Sequence, residues 1–180
     1  MDYQKSIDKF YPAGSPLRDI YMRHCRQVAD LALEINAVKR LGLESDAVEA
    51  AAMLHDIGIF ETDAKGIECY GTEPYIKHGV LGAALLRNEG VAEEIARVAE
   101  RHTGAGLTAD DIEKNGLPIP AGDYMPETLL ERLVCYADKF YSKSGDMKRK
   151  SLERVRASMA KWGPETAARF EKLHEEFNAR

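Results

Sequence analysis

The sequence predicts an all-α fold, a helical bundle forming one domain over residues 1–180. Three observations predict it. Apolar residues recur at steps of three and four through most of the chain. Glycines, prolines and capping side chains punctuate those stretches at helix-length intervals. No convincing alternation of polar and apolar residues, internal repeat or low-complexity tract interrupts them.

The elements follow in order. From Ser15 to about Arg40, Val28, Leu31, Ile35 and Val38 keep helical spacing, and Gly42 marks the stop. Ser45 is placed to cap a second helix, DAVEAAAMLHDIG, that ends near Gly58. A third helix follows Pro74, carries Val80, Leu81 and Leu85, and stops at Gly90. A fourth runs from about Val91 to His102. A fifth begins near Pro126, because proline suits a first turn, and continues past Asp138. Two more amphipathic stretches are separated at Trp162-Gly163-Pro164. Two segments read as irregular, Phe60 to Glu73 and Thr103 to Met125, the latter with room for a short helix from Thr108. Irregular segments of that length in a small domain are more often functional than idle. Thr103 to Met125 is expected at a pocket mouth, where it would help choose the substrate.

Composition narrows the function. A chain of 180 residues buries roughly 70% of its unfolded surface, so it needs no disulfide or metal merely to reach a core. With 44% hydrophobic and 31% charged residues it has the balance of a globular protein. A net charge of -5 argues against long nucleic acid as a partner. Cys25, Cys69 and Cys135 form no CxxC pair, which argues against a thiolate zinc site and fits a reducing, cytoplasmic setting. The N-terminal MDYQKSIDKFYP has no apolar core of a signal peptide, and no apolar run approaches a membrane span.

Chemistry concentrates in the histidines. His24 lies four residues before Val28, His55 closes the small-residue helix, His78 precedes Leu81, and His102 follows Val98 by four. Asp138 follows Val134 by four. Taken singly, each reads as a hydrogen-bonded core residue. Together they aim four imidazoles and two carboxylates, Asp56 and Asp138, inward, and buried carboxylates need a counter-charge or a metal. Adjacent His55 and Asp56 fan apart by about 100° near a helix end, so the carboxylate can reach between two ions. Imidazole and carboxylate without thiolate suit Mn, Fe, Co, Ni or Zn.

The order His24, His55-Asp56, His78, His102, Asp138 resembles the H…HD…H…H…D signature of the HD superfamily. The local text agrees: LHDIG at 54–58, HG at 78–79, RH at 101–102 and ADKF at 137–140. The resemblance covers about residues 20–142 and leaves 143–180 as a C-terminal helical extension. It implies an all-helical, metal-dependent phosphohydrolase acting through metal-activated water on a nucleotide or another small phosphorylated metabolite. It further implies that His24, His55, Asp56 and Asp138 hold one divalent ion. Asp56 would bridge to a second ion held by His78 and His102. Lysine three residues after the HD aspartate, found in several relatives, is replaced by Ile59, and no GYP motif is present. A cyclic-dinucleotide substrate is therefore disfavoured.

Asp56, Arg101 and Lys139 are the catalytic candidates, the two cations because each adjoins a proposed ligand and can neutralise phosphate. Lys65, Tyr70, Tyr75, Glu61 and Asp63 each read as a site neighbour or as ordinary surface and packing. His174 and the run Lys148-Arg149-Lys150 read as solvated surface. Two other functions fit the same ligands: a di-iron oxygenase of this fold, as in myo-inositol oxygenase, and a non-catalytic metal-binding sensor.

Overall fold

The computed structural model describes residues 2–178. Nine helices carry the described part of the chain: α1 Tyr3–Phe10, α2 Pro16–Lys39, α3 Ser45–Leu54, α4 His78–Asn88, α5 Glu93–Arg101, α6 Ala109–Asn115, α7 Leu129–Asp138, α8 Leu152–Ala160 and α9 Pro164–Phe177. The all-α expectation holds, apart from one two-residue hairpin pair, β1 Asp63–Ala64 and β2 Cys69–Tyr70, inside the first irregular segment.

Capping explains several boundaries. Ser15 accepts from the Arg18 N–H, and Pro16 occupies the first turn of α2. Thr108 with Asp111, and Thr128 with Glu131, form reciprocal capping boxes at α6 and α7. Ser45 is not a cap; Glu44 precedes the first turn of α3, with no side-chain bond. α7 starts at Leu129 and stops at Asp138, so Pro126 lies before it and the helix does not run on.

α3 ends earlier than its sequence pattern predicts, at Leu54, and residues 55–58 form a turn. That turn sits against α4 at backbone distance. A Cβ on Gly58 would lie 2.4 Å from the Gly82 nitrogen and 2.5 Å from the His78 carbonyl oxygen. A Cβ on Gly79 would lie 2.8 Å from the Ala99 carbonyl oxygen. Gly58, Gly79 and Gly82 thus bring the turn, α4 and α5 close enough for their histidines to meet. Behind the turn, Tyr11 and Tyr21 stack with ring centroids 4.1 Å apart. Their hydroxyls donate to the Ile57 carbonyl (2.9 Å) and the Met53 carbonyl (2.5 Å). Tyr11 follows α1, a helix absent from the sequence expectation.

Candidate metal centre

The six histidine and aspartate positions converge from five segments: α2 (His24), the turn after α3 (His55, Asp56), the first residue of α4 (His78), the residue after α5 (His102) and the last of α7 (Asp138). All six are buried. Three of the histidines share one local device. His55 Nδ1 donates to the Ala52 carbonyl (2.6 Å), His78 Nδ1 to Tyr75 (2.7 Å) and His102 Nδ1 to Ala99 (2.8 Å). Each acceptor is three residues upstream, so a helical turn orients the ring and directs Nε2 inward.

The atoms fall into two groups that share Asp56. Asp56 Oδ2 lies 3.1 Å from both His24 Nε2 and His55 Nε2. Asp138 Oδ1 lies 3.0 Å from His24 Nε2 and 3.4 Å from His55 Nε2. Asp56 Oδ1 faces the other way, 3.6 Å from His78 Nε2 and 3.4 Å from His102 Nε2. The two Nε2 atoms of that second group are 3.0 Å apart.

These separations fit a cation in each group. Ligands at right angles around a transition-metal ion, with bonds of about 2.1 Å, lie about 3.0 Å from one another. With Nδ1 of His78 and His102 already donating, their Nε2 lone pairs face each other, which is unfavourable without a positive charge between them. Both Asp56 oxygens are fully buried and receive no well-directed hydrogen bond. Lys143 Nζ, 2.6 Å from Oδ2, faces them as a charge and not as an aligned donor. Buried carboxylate oxygens left in that state call for coordination. The cluster is compatible with divalent metal binding.

Protonation separates the two groups. Burial lowers the His78 pKa to about 3, with the neighbouring His102 adding to the effect, and burial likewise lowers His102. His55 goes the other way. Burial works against its charged form, but the Asp56 carboxylate outweighs this and holds its pKa well above the ordinary value. The raised pKa favours the doubly protonated imidazole, so a cation entering the first group competes with a proton on His55. Binding there strengthens as pH rises towards the raised His55 pKa, whereas His78 needs no deprotonation near neutrality. Calorimetric titration with Mn²⁺, in buffers of different ionisation enthalpy, is expected to report net proton release on filling the first group. Heats independent of buffer would contradict this account.

A cavity of about 440 Å³ opens onto the centre. His78, His102 and Asp138 border it, with Lys139, Lys143 and Lys150 beside them. Thr103, Gly104, Gly106, Leu107, Asp111, Asn115 and Leu117 line it, so the first half of the second irregular segment forms its wall. Residues 118–125 lie outside that lining; Tyr124 instead pairs with Leu107 through backbone bonds.

The catalytic candidates separate. Asp56 is central. Lys139 borders the cavity, with Nζ 2.8 Å from Asp138 Oδ2 and donating to the His102 carbonyl at 2.9 Å. Burial opposes its charge, but Asp138 keeps its pKa raised. Arg101 does not join the site: its guanidinium turns to the Met125 carbonyl (2.7 Å) and Glu127 (3.1 Å), tying α5 to the chain before α7. Tyr75 stacks on His78 at 4.7 Å, whereas Tyr70 is exposed and bonds Glu68. Lys65 is exposed. Lys150 is not the solvated charge its basic run suggests; it is half-buried at the cavity, and burial lowers its pKa. His174 is half-buried, its Nδ1 2.9 Å from the Tyr136 hydroxyl. Lys143 has no counterpart among the sequence candidates.

A family model described as HD domain matches residues 21–142. A tRNA (cytidine(56)-2'-O)-methyltransferase of Thermoplasma volcanium is 36% identical over 96% of the chain, a match covering 46% of that protein. Its namesake in Picrophilus torridus is 33% identical over 89% of the chain and 42% of its own length. An uncharacterised protein of Methanocaldococcus jannaschii is 40% identical over 65% of the chain and 63% of its own length. The chain thus spans less than half the length of the two methyltransferases. The crystal structure of the HD domain of the L. monocytogenes phosphodiesterase PgpH matches with a TM-score of 0.54, at 16% identity, over 98% of the chain and 97% of that domain, a likeness of fold. No helix among the described residues is long and apolar enough to cross a membrane.

Proposed function

Because the chain belongs to the HD domain family, we propose that it is a phosphohydrolase using two divalent transition-metal ions, with a nucleotide or another small phosphorylated metabolite as substrate. The observation that carries this is the division of the Asp56 oxygens between two buried ligand groups beside a lysine-lined cavity. Cations bound there supply Lewis acidity, polarising phosphoryl oxygens and lowering the pKa of water.

The chain's own residues then have separable tasks. His24, His55 and Asp138, with Asp56, hold one position; His78, His102 and Asp56 hold the other, which faces the cavity. The upstream carbonyls lock the ring orientations. Lys139 keeps Asp138 in place through its 2.8 Å contact. Lys143 and Lys150 bring positive charge to the wall where phosphate oxygens would lie. Three lysines around the centre favour an anionic substrate over the small neutral polyol of a di-iron oxygenase. The methyltransferase name describes proteins of which the matched region is less than half; the chemistry proposed here rests on the buried cluster.

A chelator is expected to abolish hydrolysis of a responsive phosphoester from a metabolite panel, and Mn, Co or Fe to restore it. Hydrolysis that survives in exhaustively metal-free protein would overturn the proposal. Iron-dependent oxygen consumption without phosphate release would replace it with the oxygenase.

A further inference from the structure

We propose that Trp162 is a stacking platform for a planar ring, so that the cavity takes phosphate esters whose organic part carries an aromatic heterocycle. This rests on the phosphohydrolase reading and supplies the other end of its substrate.

The cavity lining carries two chemically distinct kinds of side chain. The imidazoles and the lysines are polar and charged, while Leu107, Leu117, Met159 and Trp162 are apolar. Trp162 is 63% exposed. Among the described residues, Val38 and Tyr70 are the other exposed large hydrophobics, and neither borders the cavity. The indole makes no ring contact or hydrogen bond among the described residues. Its backbone, by contrast, is tied down. The Trp162 N–H donates to the Met159 carbonyl at 3.1 Å, and its own carbonyl accepts from Thr166 Oγ1 at 3.4 Å. Gly163, at φ +108, then turns the chain into α9. α6 and α9, which both contribute to the lining, are joined as well. Arg169 on α9 pairs with Asp111 on α6 at 2.7 Å. An unpartnered indole on a tied backbone, lining the same cavity as the lysines, suits a flat, π-faced group. Cavities of roughly 300–1,000 Å³ hold small ligands, and this one falls within that range.

Trp162 is the chain's single tryptophan, so fluorescence excited selectively at tryptophan, away from the tyrosines, reads this position alone. The full chain, metal-free and metal-loaded, would be titrated with the four ribonucleoside monophosphates and with ribose 5-phosphate, using calorimetry for affinity. At least one nucleotide is expected to quench saturably and to bind about 5- to 150-fold more tightly than ribose 5-phosphate, the range for stacking on an aromatic side chain. Trp162→Ala should erase that difference, Trp162→Phe should keep most of it, and both should retain wild-type metal content and melting temperature. The stacking proposal is overturned if no nucleotide outdoes ribose 5-phosphate, or if Trp162→Ala binds nucleotide as the wild type does. Loss of the phosphohydrolase reading would look different: differential quenching intact, with no phosphate released from any ester.

Discussion

Asp56→Asn is expected to lower the metal-dependent rate by about a thousandfold or more and to reduce metal content in both ligand groups. The side chain keeps its shape but loses the charge that Oδ1 and Oδ2 present to two sets of histidines. Stabilising a phosphoryl transition state through a metal is worth several kcal/mol, and each 1.36 kcal/mol is tenfold in rate. The same change leaves the largely buried Lys143 facing a neutral amide, and breaking a buried ion pair costs up to about 3–5 kcal/mol. Lost stability could therefore mimic lost chemistry. Asp56→Asn combined with Lys143→Met removes the stranded charge; its melting temperature should recover while metal content stays low. Asp138→Asn provides the contrast. Asp138 belongs to the first group alone, so roughly one ion should remain on His78, His102 and Asp56. Elemental analysis of the three variants after anaerobic reconstitution decides the matter. Wild-type metal content in Asp56→Asn would remove the shared-carboxylate account.

Gly58→Ala is expected to destabilise the protein by about 2–3 kcal/mol, the upper part of the range for overpacking a tight interior. For a chain of this size that is a fall in melting temperature of roughly 4–12 °C. The added methyl would meet backbone atoms of Gly82 and His78, at 2.4 and 2.5 Å, and backbone cannot swing aside as a long side chain can. Either the turn or α4 must move. Because His55 and Asp56 ride on the turn and His78 on α4, the second group should open and bind its ion more weakly. Gly66→Ala is the control, since a Cβ there meets nothing within 4 Å; it should stay within about 0.5 kcal/mol. Equal melting curves for the two variants would show that the close approach at Gly58 carries no strain.

Much of the centre was legible because helix periodicity assigns faces. His24, His78 and Asp138 stand in register with apolar neighbours on helices, and a residue in register with the core stripe points inward whatever the neighbouring elements are. Apolar spacing likewise anticipated α2, and a short helix from Thr108 was expected where α6 lies, whereas the cap read at Ser45 is not one. Legibility failed where no period exists. Lys143 and Lys150 lie between α7 and α8, in a stretch with no helical face to read, and a basic run in such a stretch looks solvated until the fold turns it inward. Arg101 failed for another reason. Its backbone lies beside His102, but a long flexible side chain goes where its partners are, and Met125 and Glu127 arrive from a different segment.

The sequence by itself determined the all-helical class and the six histidine and aspartate positions. These follow from local spacing and from the cost of burying polar groups. Tertiary structure alone decided that Asp56 divides its oxygens between two groups, that Tyr11 and Tyr21 brace the turn from behind, and that Trp162 faces the same cavity as the lysines. Each of those relations joins residues far apart in the chain, and separation through space depends on how helices pack, which no local pattern encodes.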